Sequence, residues 1–471
     1  MLTIVAIAVL CGILFIPLKP RSKALVSLFF LMDCFNVAPE IWFGISVWDF
    51  GIVALFLMWA ELYLKDKSYM PDSPKYMLAL KTFIVWMLIC FLYSILVYRY
   101  DVLDTIKSSR QMILGYLSIL AFRRLFISDP GSMEFVFRWI FRFTLVLMAV
   151  VIYQYLINKP IMYGLIIQFN DKVRAVPIFL TLCMYGFFLI YIKYICGSKV
   201  TRIEVIYALL AIIVISISFT RGIYLATAFA LLCSFLIILK RGAVRASSVV
   251  KLLALVMVFL PLLGYFGALN GLAKRFGGAI TLVAQSGKLD SDQQKDLDDN
   301  FTGRMLLTAE RFSLVVFRNP IIGYGYLHEE RVPNALRSSL RYGGGNTVVT
   351  KLSDQKYYSN DGLALFSADI AWPDIVLTTG FVGLGIFTWF VIALVRDFFS
   401  VADLSKNEII ELRTALFFQI IVYILLMFNS NYFYSVVHLP GLMIAAYSSI
   451  TRSSGPVDQA VVPRLHPNLV A

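Results

Sequence analysis

One arginine sits inside the apolar stretch "ISISFTRGIYLATA", residues 215–228, at position 221. Between Ile203 and Leu239 the other charged residue is Glu204. A guanidinium is a planar fork that bonds two oxygens of one anion at once, which suits Arg221 to a pyrophosphate. The same residue could equally be an interfacial arginine that reaches water and steadies a turn. A second arginine, Arg174 in "NDKVRAVPIF", lies just ahead of an apolar run that begins at Pro177. Arg304 and Arg311 lie within a stretch of helical periodicity. Gathered on one cavity these arginines would form an anion trap; taken singly, each is ordinary surface charge. The acids that could work beside them are Asp369 and Asp374 in "FSADIAWPDIVLTTGFVGLG". A carboxylate next to arginines can serve as a general base, and either acid can equally be an N-cap or first-turn residue favoured by the helix dipole.

The elements that must position these residues are apolar helices. The chain has 471 residues, of which 59% are hydrophobic and 15% charged, with a mean hydropathy of +0.78. Many windows exceed the roughly 18 apolar residues that read as a spanning helix, so the sequence predicts an all-α polytopic membrane protein. About thirteen spans are expected, near 2–18, 23–38, 48–64, 77–97, 109–122, 134–157, 177–193, 203–220, 222–239, 250–268, 373–395, 414–430 and 433–450. The formal charge of +13 would suggest nucleic acid in a soluble protein. Here the basic residues cluster in alternate connections: 19–23, 65–75, Arg123–Arg124, 193–202, 240–245, 396–413 and the tail from Arg452. The positive-inside rule puts these in the cytoplasm, with the N-terminus outside and the C-terminus inside. The N-terminal "MLTIVAIAVLCGILFIPLKPRSK" reads as a first span, lacking the basic start and cleavage site of a removable signal.

This topology places Arg221. Ile203 to Leu239 is 37 residues, about 55 Å as helix, against a hydrocarbon core about 30 Å thick. Both flanks are basic and belong to the same side, so the segment is a hairpin with Arg221 at its outer tip. Ser216, Ser218 and Thr220 are placed to satisfy backbone groups there. A charge at mid-bilayer costs about 3 kcal/mol or more, and far less at the interface.

The domain plan is then a bundle over 1–269, a large partly helical outer loop over 270–372, further spanning helices over 373–450 and a cytoplasmic tail over 451–471. Met305, Leu306, Ala309, Phe312, Val315 and Val316 recur at helical spacing and predict an amphipathic helix over 303–318, ended by Pro320 and "GYG". Asp290-Ser291-Asp292 in this loop has the form of a metal–nucleotide DxD pattern. It falls on the side where nucleotide sugars are absent, so it reads as a solvated acidic loop. His328, His438 and His466 have no metal-ligand spacing, and no Walker sequence is present. The six cysteines lie in or beside apolar segments and read as small core residues.

Together these stretches resemble the O-antigen ligase/polymerase superfamily of bacterial envelopes. "SFTRG" (218–222) is similar to its "SRG" at a short outer turn, and "GRMLLTAERFSLVVFRNPIIGYGY" (303–326) to its "GR…W…P..G.G" block. "DIAWPDIVLTTGFVG" (369–383) is similar to the block leading into the next span. Arg174 corresponds to another recurrent outer arginine. The chain departs from the ligase pattern in two places. Counting back from Gly380 puts Asp369 where ligases carry histidine, and Thr308 stands at the expected tryptophan. The missing histidine favours a polymerase of the Wzy type. The polymerases' Arg–ten residues–Gly pattern is approximated by Arg174–Gly186 and Arg311–Gly323, each with eleven residues between.

The resemblance implies a substrate: an oligosaccharide repeat on an undecaprenyl-pyrophosphate lipid, presented at the periplasmic face of the bacterial inner membrane. Arg221, Arg174, Arg304 and Arg311 would hold the pyrophosphate, and Asp369 would take the acceptor's proton, with Arg221 the second catalytic residue. The reaction needs no cofactor and no metal, since arginines can neutralise the diphosphate. Membrane lipids, a chain-length regulator and a flippase are the implied partners, and nucleic acid is not. The alternatives are a ligase moving glycan to a lipid or protein acceptor, and a transporter or flippase of lipid-linked sugars.

Overall fold

A computed structural model describes residues 15–32, 47–65, 74–162, 166–169, 172–175, 177–218, 221–240, 250, 257, 301–327, 371–400, 407–427 and 438–453. The described chain is helical apart from one small hairpin. Its helices are α1 (Pro20–Met32), α2 (Val47–Lys65), α3 (Lys75–Leu96), α4 (Val102–Ser128) and α5 (Pro130–Ile157). After the hairpin come α6 (Pro177–Cys196), α7 (Arg202–Ile217), α8 (Arg221–Lys240), α9 (Phe301–Arg318), α10 (Ala371–Ser400), α11 (Asn407–Leu426) and α12 (His438–Ser453). Among the described residues, four stretches are long and apolar enough to cross a membrane: Lys75–Leu96, Gly131–Ile157, Phe179–Cys196 and Ala371–Ser400. Gly222–Ile237 and Leu439–Ile450 are shorter apolar helices. The expected spans near 2–18 and 250–268 and most of the large loop lie outside the described residues.

The hairpin was not anticipated. Strands β1 (Ile166–Phe169) and β2 (Lys172–Ala175) pair antiparallel, with Arg174 opposite Ile167. It is tied to the end of α5. Asn158, in the left-handed conformation that ends that helix, accepts from Val173 N at 3.1 Å.

Contacts along the helices give their directions. Lys193 Nζ meets Glu204 Oε1 at 2.8 Å and the Tyr207 hydroxyl donates to Cys183 O at 3.1 Å, so α7 runs antiparallel to α6. Thr227 reaches Met184 at 3.9 Å and the Tyr191 hydroxyl donates to Leu231 O at 3.1 Å, so α8 runs parallel to α6. Residues 203–239 therefore do fold back, as their length required. The two arms share α6 as a packing partner, α7 also resting on α5 and α8 on α11. Thr201 forms a capping box with Glu204 at the start of α7. At the turn Ser216 and Ser218 bond Ile212 O and Ile215 O, and the Tyr224 hydroxyl donates to Ser216 O at 2.6 Å.

The described parts of the basic connections lie at one end of the bundle. There Lys23 pairs with Glu61, Tyr76 lies 5.8 Å from Tyr447, and buried Arg413 bonds Asp397 Oδ2 at 3.2 Å. At the far end Ala371 N donates to Met427 O at 3.0 Å and Ser108 donates to Tyr326 O at 3.1 Å. Arg174, Arg221 and Arg311 belong to elements or helix termini at this far end.

Helix α10 is broken. Gly380 has φ 67° and ψ −173°, which divides the helix into a short segment ahead of it and a long one behind. Gly323 faces it with φ +73°. A methyl group on Gly380 would lie 2.1 Å from Ile321 O, and one on Gly323 would lie 2.5 Å from Leu377 O. Gly385, in the same helix, has nothing within 4 Å of such a methyl. We expect Gly380→Ala to lower thermal stability in detergent, since the backbone conformation alone costs roughly 1–3 kcal/mol. Gly385→Ala should leave stability equal or raise it by up to about 1 kcal/mol. Equal midpoints for the two variants in a thermal melt would refute this account of the break.

Candidate functional site

The far-end site is built around the segment that follows α9. This amphipathic helix forms over Phe301–Arg318, where the periodicity predicted one. Its apolar face seats on α10: Val315 is buried with Val376 and Leu377, and Phe312 meets Phe381 edge to face at 5.6 Å. Pro320 then starts a turn that docks backbone to backbone on the break in α10. Tyr324 N donates to Leu377 O at 2.6 Å and Phe381 N donates to Pro320 O at 2.9 Å. Side chains from α3 and from the residues just after it hold the turn and the break from the other side. Trp86 Nε1 donates to Thr379 O at 2.8 Å, and the Tyr98 hydroxyl to Gly323 O at 2.6 Å. Ser94 Oγ accepts from Tyr326 N at 2.9 Å.

Arg311 is the arginine of the four whose side chain the structure describes, and it is buried at 1% exposure. Its Nη1 lies 2.5 Å from Glu310 Oε2. Burial pushes the guanidinium's pKa down, while the charges of Glu310 and Asp374 pull it back up. A guanidinium remains charged under such conditions. Asp374, in the first turn of α10, is also 1% exposed. A buried cation and a buried carboxylate thus meet electrostatically where α9 packs on α10. Such burial is costly unless the charges compensate one another.

The other predicted residues are placed by their backbones. Arg221 is the first residue of α8, Arg174 lies on β2, and Arg304 falls in the first turn of α9. Asp369 lies outside the described residues, two positions ahead of Ala371. Helices α6, α8 and α10 all begin at the far end, so their positive dipole ends add to the arginines in favouring an anion. Pairing of Arg311 with Asp374 was not read from the sequence, because each residue had an ordinary surface or capping explanation. Trp86, Ser94, Tyr98 and Ser108 carried no signal, since their partners are more than 200 residues away in the chain.

The fold is one of apolar helices, four of them long enough to cross a membrane, with an arginine-bearing amphipathic helix clamped onto a broken helix. Residues 206–388 match the family model described as O-antigen ligase. Over this part the chain is similar to the O-antigen ligase/polymerase superfamily. The match begins in α7, spans Arg221 and α9, and ends beyond Gly380 and Gly383. No curated protein matches the chain.

The buried pair makes a measurable demand. Arg311→Met should cost about 3–5 kcal/mol, because it removes a buried cation that Glu310 and Asp374 face. Asp374→Asn should destabilise less, since Glu310 remains. In a double-mutant cycle followed by chemical unfolding, the two changes should couple by about 1 kcal/mol or more. Additive losses would show that Asp374 does not compensate Arg311.

Proposed function

We propose that the protein polymerises lipid-linked oligosaccharide repeat units at the periplasmic face of the bacterial inner membrane. The observation that carries this reading is the gathering of arginine-bearing elements at the end opposite the basic connections. The positive-inside rule assigns the basic end to the cytoplasm, which leaves the N-terminus and the arginine end in the periplasm. The family match over 206–388 covers Arg221, Arg304 and Arg311, and its glycan chemistry supports the substrate class.

In this reading the growing chain is attached through its reducing-end sugar to undecaprenyl pyrophosphate. A hydroxyl of the next lipid-linked unit attacks the anomeric carbon. A new carbon–oxygen bond forms there as the bond to the pyrophosphate oxygen breaks, and the electron pair leaves with the diphosphate. Direct displacement inverts the anomeric centre. Asp369 takes the hydroxyl proton. Arg221, Arg174 and Arg304 neutralise the charge that develops on the leaving group, where preorganised donors have most effect. Arg311, paired with Glu310 and in the field of Asp374, fixes the helix that carries Arg304. Grooves between apolar helices accommodate the polyprenyl tails. The donor is already activated as a diphosphate, so the reaction is written without nucleotide or metal.

A second reading, transfer of finished glycan to a lipid or protein acceptor, is favoured by the description of the matching family as O-antigen ligase. Asp369 in place of the ligase histidine weighs against it. Purified protein incubated with synthetic lipid-linked repeats should yield a ladder of chain lengths, and Arg221→Ala should abolish it at unchanged protein level in the membrane. A single transfer to a different acceptor would establish the ligase, and vesicle transport without product would sink both readings.

A further inference from the structure

The turn that closes α3 carries a surface that the proposed chemistry does not use. Tyr93 and Tyr98 meet edge to face at 5.0 Å, and Tyr98 and Tyr100 stack at 5.4 Å with their planes 30° apart. All three rings are half-buried. Tyr98 and Tyr100 are pinned from beneath. The Tyr98 hydroxyl donates to Gly323 O, Tyr100 N donates to Ser94 O at 3.0 Å, and the Tyr100 ring packs on the cluster of Val315, Tyr324, Val376 and Leu377.

Between Tyr98 and Tyr100 in the chain, Arg99 is exposed and adopts φ 56°. That is the left-handed region, which glycine enters freely and a side-chain-bearing residue enters at a cost. Residues that follow a helix in this conformation are usually glycine or asparagine. An arginine here is held against its backbone preference.

Tyrosines at a membrane interface ordinarily sit in the headgroup layer with their hydroxyls toward water. Tyr98 instead spends its hydroxyl on a backbone carbonyl of the docked turn, and its ring belongs to a three-ring cluster. Burial raises the pKa of both Tyr98 and Tyr100, so both remain neutral phenols.

We propose that Tyr93, Tyr98, Tyr100 and Arg99 form a sugar-binding platform at the mouth of the site. Its ligand is the glycan part of the substrate. A sugar ring presents an apolar C–H face and a rim of hydroxyls. Pinned aromatic rings bury the apolar face with little loss of side-chain freedom, and a guanidinium supplies up to five N–H donors to the rim. The platform adjoins the site through shared packing, since Tyr100 rests on the same cluster that seats α9 on α10. The choice of a glycan rests on the proposed function, but binding at the platform does not depend on which transfer reaction occurs.

The test uses the full-length protein in lipid nanodiscs and two probes. One is the oligosaccharide repeat released from its lipid by mild acid, and the other is undecaprenyl pyrophosphate without sugar. Wild-type protein should bind the free oligosaccharide by calorimetry or saturation-transfer NMR. Tyr93→Leu and Arg99→Gly should each weaken that binding roughly three- to tenfold, the range of one aromatic or polar contact, and leave undecaprenyl pyrophosphate binding unchanged. Arg99→Gly should also raise the unfolding midpoint, because it relieves the backbone, so its weaker glycan binding cannot be ascribed to a damaged fold. Wild-type affinity for the oligosaccharide in either variant overturns the platform, as does the absence of oligosaccharide binding by the wild type. A protein that makes no ladder yet shows the predicted losses keeps the platform and loses the polymerase reading.

Discussion

A helix that crosses hydrocarbon must satisfy every backbone group, since each one left open there costs several kcal/mol. Helix α10 breaks this condition at Gly380, and the turn after α9 restores it. In an unbroken helix Phe381 N would bond Leu377 O. Here Phe381 N bonds Pro320 O, and Leu377 O accepts from Tyr324 N. One intrahelical hydrogen bond is exchanged for two bonds to an inserted strand of backbone. Thr379 O, just ahead of the break, accepts from Trp86 Nε1. The close approach requires residues without Cβ at Gly323 and Gly380, which face each other across the splice.

Much of the far end follows from this splice. It fixes where α9 ends, because Asn319 N still bonds Val315 O and Gly323 N bonds Asn319 O. It sets α9 against α10, so the arginine on the buried side of α9 meets the first turn of α10. It also draws in the end of α3, since Tyr98 and Ser94 bond the same turn. These backbone hydrogen bonds fix the end of α9 firmly on α10. That firmness matters for electrostatic catalysis, which depends on charges that do not have to reorganise during the reaction.

The sequence made some of this legible. The return of 203–239 followed from length against membrane thickness, helix α9 from apolar spacing, and the common end of the basic connections from their alternation. These are local or one-dimensional properties. The break at Gly380 was hidden because Gly380 and Gly383 lie in an apolar run that scores as one span, and because the partner turn is more than 50 residues earlier. Hairpin β1–β2 was missed because four-residue strands leave too short a pattern to separate from a loop. The burial of Arg311 was hidden by its helical neighbours. On an amphipathic helix a charged residue is read onto the polar face, and only the position of α10 shows that Arg311 is covered. Asp369, the acid chosen from the family pattern, lies outside the described residues, whereas Asp374 is the acid that the fold buries against an arginine's field.

Two of the buried charge groups among the described residues occupy opposite ends and do different things. At the basic end Arg413, Asp397 and Tyr447 bond one another in a closed set, joining α10, α11 and α12. Arg311 at the far end pairs with the adjacent Glu310 and lies in the field of Asp374. The first set locks three helices together, and the second fixes the amphipathic helix α9 on the start of α10. With two carboxylates facing it, Arg311 has little positive charge left to offer a ligand. In the proposed reaction the diphosphate is therefore met by Arg221 and the helix N-termini rather than by the buried arginine.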